Sequence, residues 1–316
     1  MVNMLGRFAT VPHATSRPDN RLTDAPVRPI AVPAALDAGL RRRWERGERP
    51  ELLARLASAL TVPVETPPDA LDRLNRRSLE FLPEVAASCE WLAAAVTAAI
   101  ADGALPLVLG GDHALSAGSI AGAAMATPGR LGVLWLDTHP DLNTPATSPS
   151  GHLHGMPLAA SLGFGVPTLT ELGRPGPKVH PEDLCLLGAR DIDPGERALI
   201  RDLGVWALTM EEWTEIGLLA GLDAVLDHFT ARGVDAVHVS FDLDVLDPSV
   251  LPGTGTRVPG GLTYREAAQV ARRLRSWAGP LRSLDWVELN PTIDPTGRST
   301  DTAVALLATI LGETMR

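Results

Sequence analysis

The sequence predicts an α/β fold in which a mostly parallel sheet is covered by helices on both faces. Short apolar runs of strand length alternate with longer helical patterns along most of the 316 residues, an order that is typical of parallel sheets. Each apolar run ends in a polar cluster. Because ligands of such sheets bind beyond the carboxyl ends of the strands, we expect these clusters to form one shared site.

The predicted elements follow in chain order. Residues 1–27, where prolines lie among polar residues without a sustained period, are expected to form an irregular extension, and residues 28–316 a single domain. The predicted strands are the short apolar runs 29–32, 105–109, 131–136, 184–187, 205–208, 234–241 and 281–289. The predicted helices, with apolar residues at helical spacing, are 40–60, 78–102, 115–126, 195–203, 218–232, 264–277 and 302–311.

Composition excludes several classes of partner. The chain is 45% hydrophobic with a net charge of −10 and a pI near 5.3, which argues against nucleic acid or an acidic membrane surface and favours a small cationic substrate. Cys89 and Cys185 form no disulfide framework or paired-ligand spacing, so the expected location is a reducing cytoplasm. We expect no signal peptide and no apolar stretch of the about 20 residues that a membrane span needs.

Metal-binding residue types cluster at the ends of three predicted strands. Asp137, His139 and Asp141 alternate directly after strand 131–136, so an extended chain directs all three side chains to one side. The full set of candidate ligands is His113, Asp137, His139, Asp141, Asp242 and Asp244. This set exceeds what one ion takes from protein, and its carboxylates without a thiolate favour two harder divalent ions, such as manganese, over structural zinc. Two such ions lower the pKa of a shared water and create a nucleophile at neutral pH.

A structural explanation competes with the metal hypothesis for single residues. A helix cap or a loop hydrogen bond accounts for any one of these aspartates taken alone. We assign Asp112 to such a structural role, and Asp247, which precedes Pro248, to a turn. The recurrence of the pattern at three strand ends is what favours metal binding for the set.

Six motifs give the chain a resemblance to a known family. They run in order from residue 105 towards the C-terminus: GGDHALS, DTHPDLNTPATSPSGHLHGMPL, GARDIDPGE, SFDLDVLDPSVLPGTGT, GGLTYREA and LDWVELNP. In these motifs the chain resembles the ureohydrolase superfamily and, within it, the arginases. The resemblance implies a three-layer α/β/α sandwich, two manganese ions held by the candidate ligands at the carboxyl edge of the sheet, and hydrolysis of L-arginine to L-ornithine and urea.

The resemblance also implies catalytic roles. Asp141 would orient the attacking hydroxide and relay its proton, and His154 would carry protons between solvent and the site, although a loop histidine is otherwise a surface residue. Glu288 would bind the guanidinium in two-point fashion, with a supporting hydrogen bond from Thr256. The alternative for Glu288 is a structural salt bridge to a neighbouring arginine.

The amino acid end of the substrate is assigned in the same way. Asn143 and Ser150, with Ser148 close by, match arginase positions that contact the α-carboxylate. Asp193 matches the position that meets the α-amino group, and Glu196 assists it. Asp193 before Pro194 is also a good helix N-cap with an acid in the first turn, and both roles are compatible.

Departures from the family pattern leave the substrate open. His152 stands where arginases commonly carry asparagine, Arg257 replaces a common proline, and the first hundred residues lack the usual glycine-rich opening. Hydroxyarginine, a guanidino acid and agmatine are therefore alternative substrates, and an arginine-binding homologue without turnover is the alternative in another class. A single-zinc deacetylase is disfavoured because it needs the ligands of only one ion. A homo-oligomer, trimer or hexamer, is expected by analogy alone.

Overall fold

A computed structural model describes residues 4–5, 27–30, 60–61, 79 and 81–312. Its strands are β1 Met4–Leu5, β2 Val27–Ile30, β3 Leu60–Thr61, β4 Leu105–Leu109, β5 Leu131–Leu136, β6 Leu184–Ala189, β7 Trp206–Thr209, β8 Ala236–Asp242 and β9 Leu281–Val287. Its α-helices are α1 Leu82–Ala101, α2 Ser116–Ala126, α3 Pro157–Ser161, α4 Pro167–Thr170, α5 Pro194–Leu203, α6 Met210–Ile216, α7 Leu218–Arg232, α8 Tyr264–Ser276 and α9 Arg298–Ile310.

The strands form one sheet in the order β1-β3-β2-β4-β9-β8-β5-β6-β7. Every pairing from β3 to β7 in this order is parallel, and only β1 runs antiparallel to its neighbour β3. The helices flank the sheet, with α1 packed on α2 and α8 packed on both α7 and α9. These observations confirm the predicted α/β class and mostly parallel sheet. The carboxyl ends of the parallel strands meet at one edge.

Most predicted elements between residues 78 and 311 are confirmed, and their shifted ends have local causes. The predicted strand 281–289 ends at Val287 because Glu288 adopts a φ of 62°, outside the extended region. Helix α9 begins at Arg298 rather than Thr302, and Asp294 accepts a hydrogen bond from the backbone N–H of Ser299 in its first turn. Helix α6, with its capping box of Thr209 and Glu212, was not predicted.

The N-terminal predictions are only partly covered by the described residues. The first predicted strand, 29–32, is observed two residues earlier as β2. Within the predicted extension, Met4–Leu5 forms β1 and pairs with Thr61 and Leu60. The predicted helix 40–60 lies outside the described residues, apart from Leu60. The boundary between extension and domain stays a prediction.

Helix α1 corrects one expectation. It has 20 residues and a mean hydropathy of 1.3, so by length and composition alone it could cross a membrane. However, it packs closely on α2, where a Cβ on Gly118 would lie 2.5 Å from the Cys89 carbonyl oxygen. Leu92 and Val96 are fully buried at the core of the protein. The apolar composition of α1 is thus explained by its position as a core helix.

Candidate active site

A cavity of about 220 Å³ opens at the carboxyl edge of the sheet. All predicted site residues except Asp137 and Asp244 line it, and those two contact lining histidines. The lining residues are His113, His139, Asp141, Asn143, Ser148, Ser150, His152, His154, Gly155, Asp191, Asp193, Glu196, Asp242, Thr256 and Glu288. Residues from six separate segments of the sequence are thereby brought together.

The first group of metal-type side chains surrounds His113. Its Nδ1 atom lies 2.8 Å from Asp242 Oδ2, 3.1 Å from Asp137 Oδ2 and 3.2 Å from Asp141 Oδ2. This nitrogen is buried and, within the described part of the chain, has no hydrogen-bond partner, because the close contacts lack hydrogen-bond geometry. A buried ring nitrogen that faces three carboxylates without a hydrogen bond fits a shared cation.

The second group surrounds His139. Its Nδ1 atom lies 3.2 Å from Asp244 Oδ2 and 3.5 Å from Asp137 Oδ1. Asp137 therefore contributes one oxygen to each group. A carboxylate shared between two ligand groups is the arrangement expected where one side chain bridges two ions.

The same turn chemistry places the ligands at both strand ends. After β5, Asp137 Oδ1 accepts a hydrogen bond from the backbone N–H of His139 at 2.7 Å. At the end of β8, Asp242 Oδ1 accepts one from the backbone N–H of Asp244, also at 2.7 Å. Each aspartate thus forms a local turn that directs the next ligand, two residues on, into the site.

The electrostatics of the two groups are those of a site that lacks enough positive charge. Burial and the charge of Asp137 raise the pKa of Asp141 well above its usual range, and burial and neighbouring carboxylates do the same to Asp242. Although burial acts in the opposite direction, contacts with the carboxylates raise the pKa of His113 to about 9 and that of His139 to about 12. Divalent cations would supply the missing charge, so the residues fit a metal centre.

Two candidate catalytic residues have an unusual backbone conformation. Asp141 has a φ of 51° and Glu288 a φ of 62°, and among the described residues only Leu79 is a further non-glycine residue with positive φ. Such a conformation costs on the order of 1 to 3 kcal/mol and is typically retained where it places a functional side chain. The strained conformation therefore occurs at two residues to which the family resemblance assigns catalytic roles.

Glu288 is buried beside His113. Its Oε1 atom accepts a hydrogen bond from the backbone N–H of His113 at 2.5 Å, and burial and the charge of Asp112 raise its pKa to about 8. Among the described residues, no arginine or lysine forms an ion pair with Glu288. The proposed structural salt bridge is thus absent there, and the carboxylate lacks a cationic side-chain partner.

The rim of the cavity comprises Asn143, Ser148, Ser150, His152 and Asp193. Its part next to helix α5 is held by Glu196. Its Oε1 atom accepts a hydrogen bond from the backbone N–H of Leu142 at 3.0 Å, and its Oε2 atom accepts one from the backbone N–H of Asp193 at 2.9 Å. Asp193 is the N-cap of α5 and also accepts a hydrogen bond from Asn143 Nδ2 at 2.8 Å. Burial raises the pKa of Glu196 to about 7. Asp193 therefore caps the helix while it lines the cavity.

The rest of the rim is a loop on which Ser150 and His152 are exposed. Ser148 Oγ accepts a hydrogen bond from the backbone N–H of Gly151 at 2.9 Å, and Ser150 Oγ accepts one from that of His152 at 3.2 Å. The rings of His152 and His154 lie 5.4 Å apart. His152 is exposed, whereas His154 is half-buried and burial lowers its pKa.

Comparisons with known proteins agree with this geometry. Residues 50–312 match the model of the arginase family. The chain is 46% identical over 235 residues to the arginase of Bacillus caldovelox, covering 74% of this chain and 78% of that one, and 44% identical to that of Bacillus subtilis, covering 76% and 79%. The solved structure of the Bacillus caldovelox arginase has a TM-score of 0.77 at 40% identity and covers 90% of this chain and 92% of its own. The chain belongs to the arginase family.

Membership of the arginase family makes the chain a hydrolase of the ureohydrolase class and gives the two His/Asp groups a context. They are consistent with the binuclear metal site of an arginase. The structure also identifies residues around this arginase-like site that the sequence did not single out. Trp135 stacks on His113 with ring centroids 4.1 Å apart and donates its Nε1–H to Asp137 Oδ2 at 2.9 Å. Asp191 Oδ2 lies 3.9 Å from His139 Nε2.

Arg190 is a further residue that was missed. Its guanidinium donates hydrogen bonds to the backbone carbonyls of Asp244 at 3.0 Å, Val258 at 2.8 Å and Pro259 at 3.2 Å. Arg190 thus joins the turn that carries Asp244 to the loop that carries Thr256, whose hydroxyl donates to Asp244 Oδ2 at 2.9 Å. The sequence does show an arginine directly after a buried strand, which indicates a residue near the site. Its partners could not be predicted, because they are backbone carbonyls and any residue type supplies one.

Proposed function

We propose that the chain hydrolyses L-arginine to L-ornithine and urea. The observation that carries this proposal is the sharing of Asp137 between the His113 and His139 groups, directly beneath a cavity in whose lining carboxylates outnumber imidazoles. An acidic cavity of this kind selects a small cation, and a guanidinium is the cation that a carboxylate binds through two parallel hydrogen bonds.

Within this proposal the metal ligands are His113, Asp137, His139, Asp141, Asp242 and Asp244. Manganese is the proposed ion because oxygen ligands predominate and no thiolate is present in either group. When bound, two such ions would supply a water of lowered pKa as the nucleophile. Asp141 would take the proton of that water and pass it to the leaving amine as the bond from this nitrogen to the guanidinium carbon breaks, while Glu288 would orient the guanidinium carbon towards the attack.

His154 and the rim serve substrate exchange and binding. Burial lowers the pKa of His154, so the imidazole is neutral at pH 7 and accepts a proton from the site before it returns it to solvent. Asn143, with Ser148 and Ser150, is proposed to bind the α-carboxylate, and Asp193 the α-amino group. Thr256 supports the site through its hydrogen bond to Asp244.

The proposed partners and location rest on net charge, on cysteine usage and on membership of the family. The substrate is a small cationic guanidino compound rather than nucleic acid or a membrane, and the cytoplasm is the proposed location. A homo-oligomer, trimer or hexamer, is proposed by analogy with the family only.

The decisive experiment measures urea release from L-arginine by the manganese-loaded protein. We expect steady turnover that stops on chelation, returns when manganese is added back, and is lost in Asp141→Asn. Calorimetry with L-arginine tests the alternative that the chain is an arginine-binding homologue without turnover. Tight binding of L-arginine without urea release would support that alternative. No urea from a metal-loaded, folded protein would refute arginine hydrolysis.

A panel of guanidino compounds tests the alternative substrates. The observation that favours testing them is the position of His152, which lines the cavity at its exposed rim. A histidine there, in place of the usual asparagine, alters the part of the cavity proposed to bind the α-carboxylate. A higher kcat/KM for agmatine than for L-arginine would show that Asn143, Ser150 and Asp193 do not select an amino acid.

A further inference from the structure

A ladder of buried polar side chains lies beneath the metal-type residues. In the sheet, His238 of β8 is opposite Ser283 of β9, and Ser240 is opposite Asp285. Helix α2 covers this part of the sheet with Ser116 and Ser119. The ladder is His238, Ser240, Ser283, Asp285, Ser116 and Ser119, and each of these residues is fully buried at 0% exposure.

The ladder is continuous with the candidate ligand His113. The Nε2 atom of His113 lies 2.8 Å from Ser240 Oγ, and Ser240 Oγ lies 3.4 Å from Ser116 Oγ. Ser116 Oγ donates in turn to Asp285 Oδ2 at 2.7 Å. The Nδ1 atom on the opposite edge of the His113 ring is the one that faces Asp137, Asp141 and Asp242.

The charge of Asp285 gives this chain of contacts a direction. His238 Nε2 lies 3.2 Å from Asp285 Oδ2, and although burial acts to raise it, the charge of His238 and the hydroxyl hydrogen bonds lower the pKa of Asp285. An ionised carboxylate only accepts hydrogen bonds, so the Ser116 hydroxyl must donate to it. Because its proton is used in that bond, the Ser116 hydroxyl can act only as an acceptor towards Ser240, so Ser240 donates to it. The Ser240 oxygen in turn accepts a hydrogen bond from the Nε2–H of His113.

We infer that Asp285 is a positioning residue for the ligand His113 and acts on it through Ser116 and Ser240. The chain of hydroxyls keeps the proton of the ring on Nε2 and leaves the Nδ1 lone pair for a metal ion. Carboxylates that reach a ligating histidine in this way orient the ring and raise its basicity. The inference relies on the proposed function only in treating His113 as a metal ligand.

Helix α2 offers a matched pair of variants for the test. Ser116 and Ser119 are both fully buried and both donate to Asp285 Oδ2. Only Ser116 contacts Ser240. The 3.4 Å contact is longer than an ordinary hydroxyl hydrogen bond, which makes it the link most in need of a test.

In the first measurement, metal-free full-length protein is titrated with manganese and the free ion is followed by electron paramagnetic resonance. In the second, nitrogen-15 NMR of the metal-free protein records the His113 Nε2–H signal. Ser116→Ala is expected to weaken binding of one ion by about tenfold and to move the signal upfield, since the ring loses an anionic chain of acceptors. Ser119→Ala is expected to leave both at wild-type values.

Equal effects of the two serine variants, or no effect of Ser116→Ala, would overturn the inference. Asp285→Asn is expected to weaken manganese binding more than Ser116→Ala does. The reason is that an amide can donate a hydrogen bond to Ser116 and so reverse the direction of the hydrogen bonds along the chain of hydroxyls. If that variant does not fold, the serine pair still decides. Neither readout needs turnover, so an inactive protein that binds manganese would refute arginine hydrolysis without affecting this result.

Discussion

The floor of the cavity, which comprises the two groups of metal-type side chains and Glu288, is built by different means from its rim. At the floor, Asp137 and Asp242 are at most 2% exposed, and each is held by a hydrogen bond from the backbone two residues on. At the rim, Ser150 and His152 are exposed and lie on a loop. Because charges interact strongly where water is excluded and weakly where it is present, the floor is expected to determine the reaction and the rim to adjust substrate choice.

The largest effect expected on recognition of the substrate comes from one substitution at the floor. Glu288→Gln keeps the shape of the side chain but removes the charge that would hold the guanidinium. Removing one partner of a buried ion pair costs roughly 3 to 5 kcal/mol, so kcat/KM for L-arginine should fall by about 10²- to 5 × 10³-fold. Steady-state urea release measures it, with manganese content checked to be unchanged.

Glu211→Gln, which changes an exposed acid on α6, serves as the control and should behave as wild type. Activity of Glu288→Gln within a few-fold of wild type would remove Glu288 from the binding of the guanidinium. It would also show that the floor does not make the largest contribution to kcat/KM for L-arginine.

A smaller effect is expected at the buried edge of the rim. Asn143→Ala should lower kcat/KM for L-arginine by roughly 10- to 100-fold, the equivalent of one hydrogen bond to a charged group. The kcat/KM for agmatine, which has no α-carboxylate, should not change. Thr147→Ala is the matched control, since Thr147 donates to Asn143 Oδ1 at 3.0 Å but does not line the cavity. An equal loss with both substrates would contradict a carboxylate contact.

The residues of the floor were predictable from the sequence because they lie at the ends of predicted strands, whereas the turns that direct their side chains were not. Asp137, His139 and Asp141 follow β5, Asp242 ends β8 and Asp244 follows it, so the parallel sheet brings all five residues to one edge. The extended chain predicted after Leu136 is not observed, because Asp137 and Asp242 form turns and Asp141 has a φ of 51°. Asp112 accepts a hydrogen bond from the backbone N–H of Ala114, which confirms the cap assigned to it. Asp247 likewise accepts from Ser249 and Gly260 and shapes a turn as predicted.

Other features could not be predicted because their partners are distant or are backbone atoms. Arg190 reaches carbonyls more than fifty residues away, and no residue type marks a carbonyl as a partner. The ladder beneath the floor left one signal that could have been used: His238, Ser240 and Asp242 alternate as polar residues within a fully buried strand. Buried polar residues require partners, so this period indicates a second layer of contacts.

Glu196 lies between the two regions and should show its burial in the pH dependence of stability. Its folded pKa of about 7 exceeds the usual 4.5, so between these values the folded state binds more protons than the unfolded state and stability falls as pH rises. The contribution is at most about 1.4 kcal/mol per pH unit. Urea unfolding of chelated wild type and Glu196→Gln should show a shallower decline for the variant over that range. Parallel curves would mean that Glu196 ionises as an exposed acid does.

The smallest effect is expected where the family pattern breaks. His152→Asn restores the residue that arginases commonly carry, but the side chain is exposed, and an exposed polar or charged contact contributes less than about 1 kcal/mol. The kcat/KM for L-arginine should therefore change by less than about fivefold, and that for agmatine should stay constant. A change as large as that of Asn143→Ala would show that the exposed loop closes over the bound substrate. The rim would then share the water exclusion of the floor, and the distinction between the two regions would hold only in the absence of substrate.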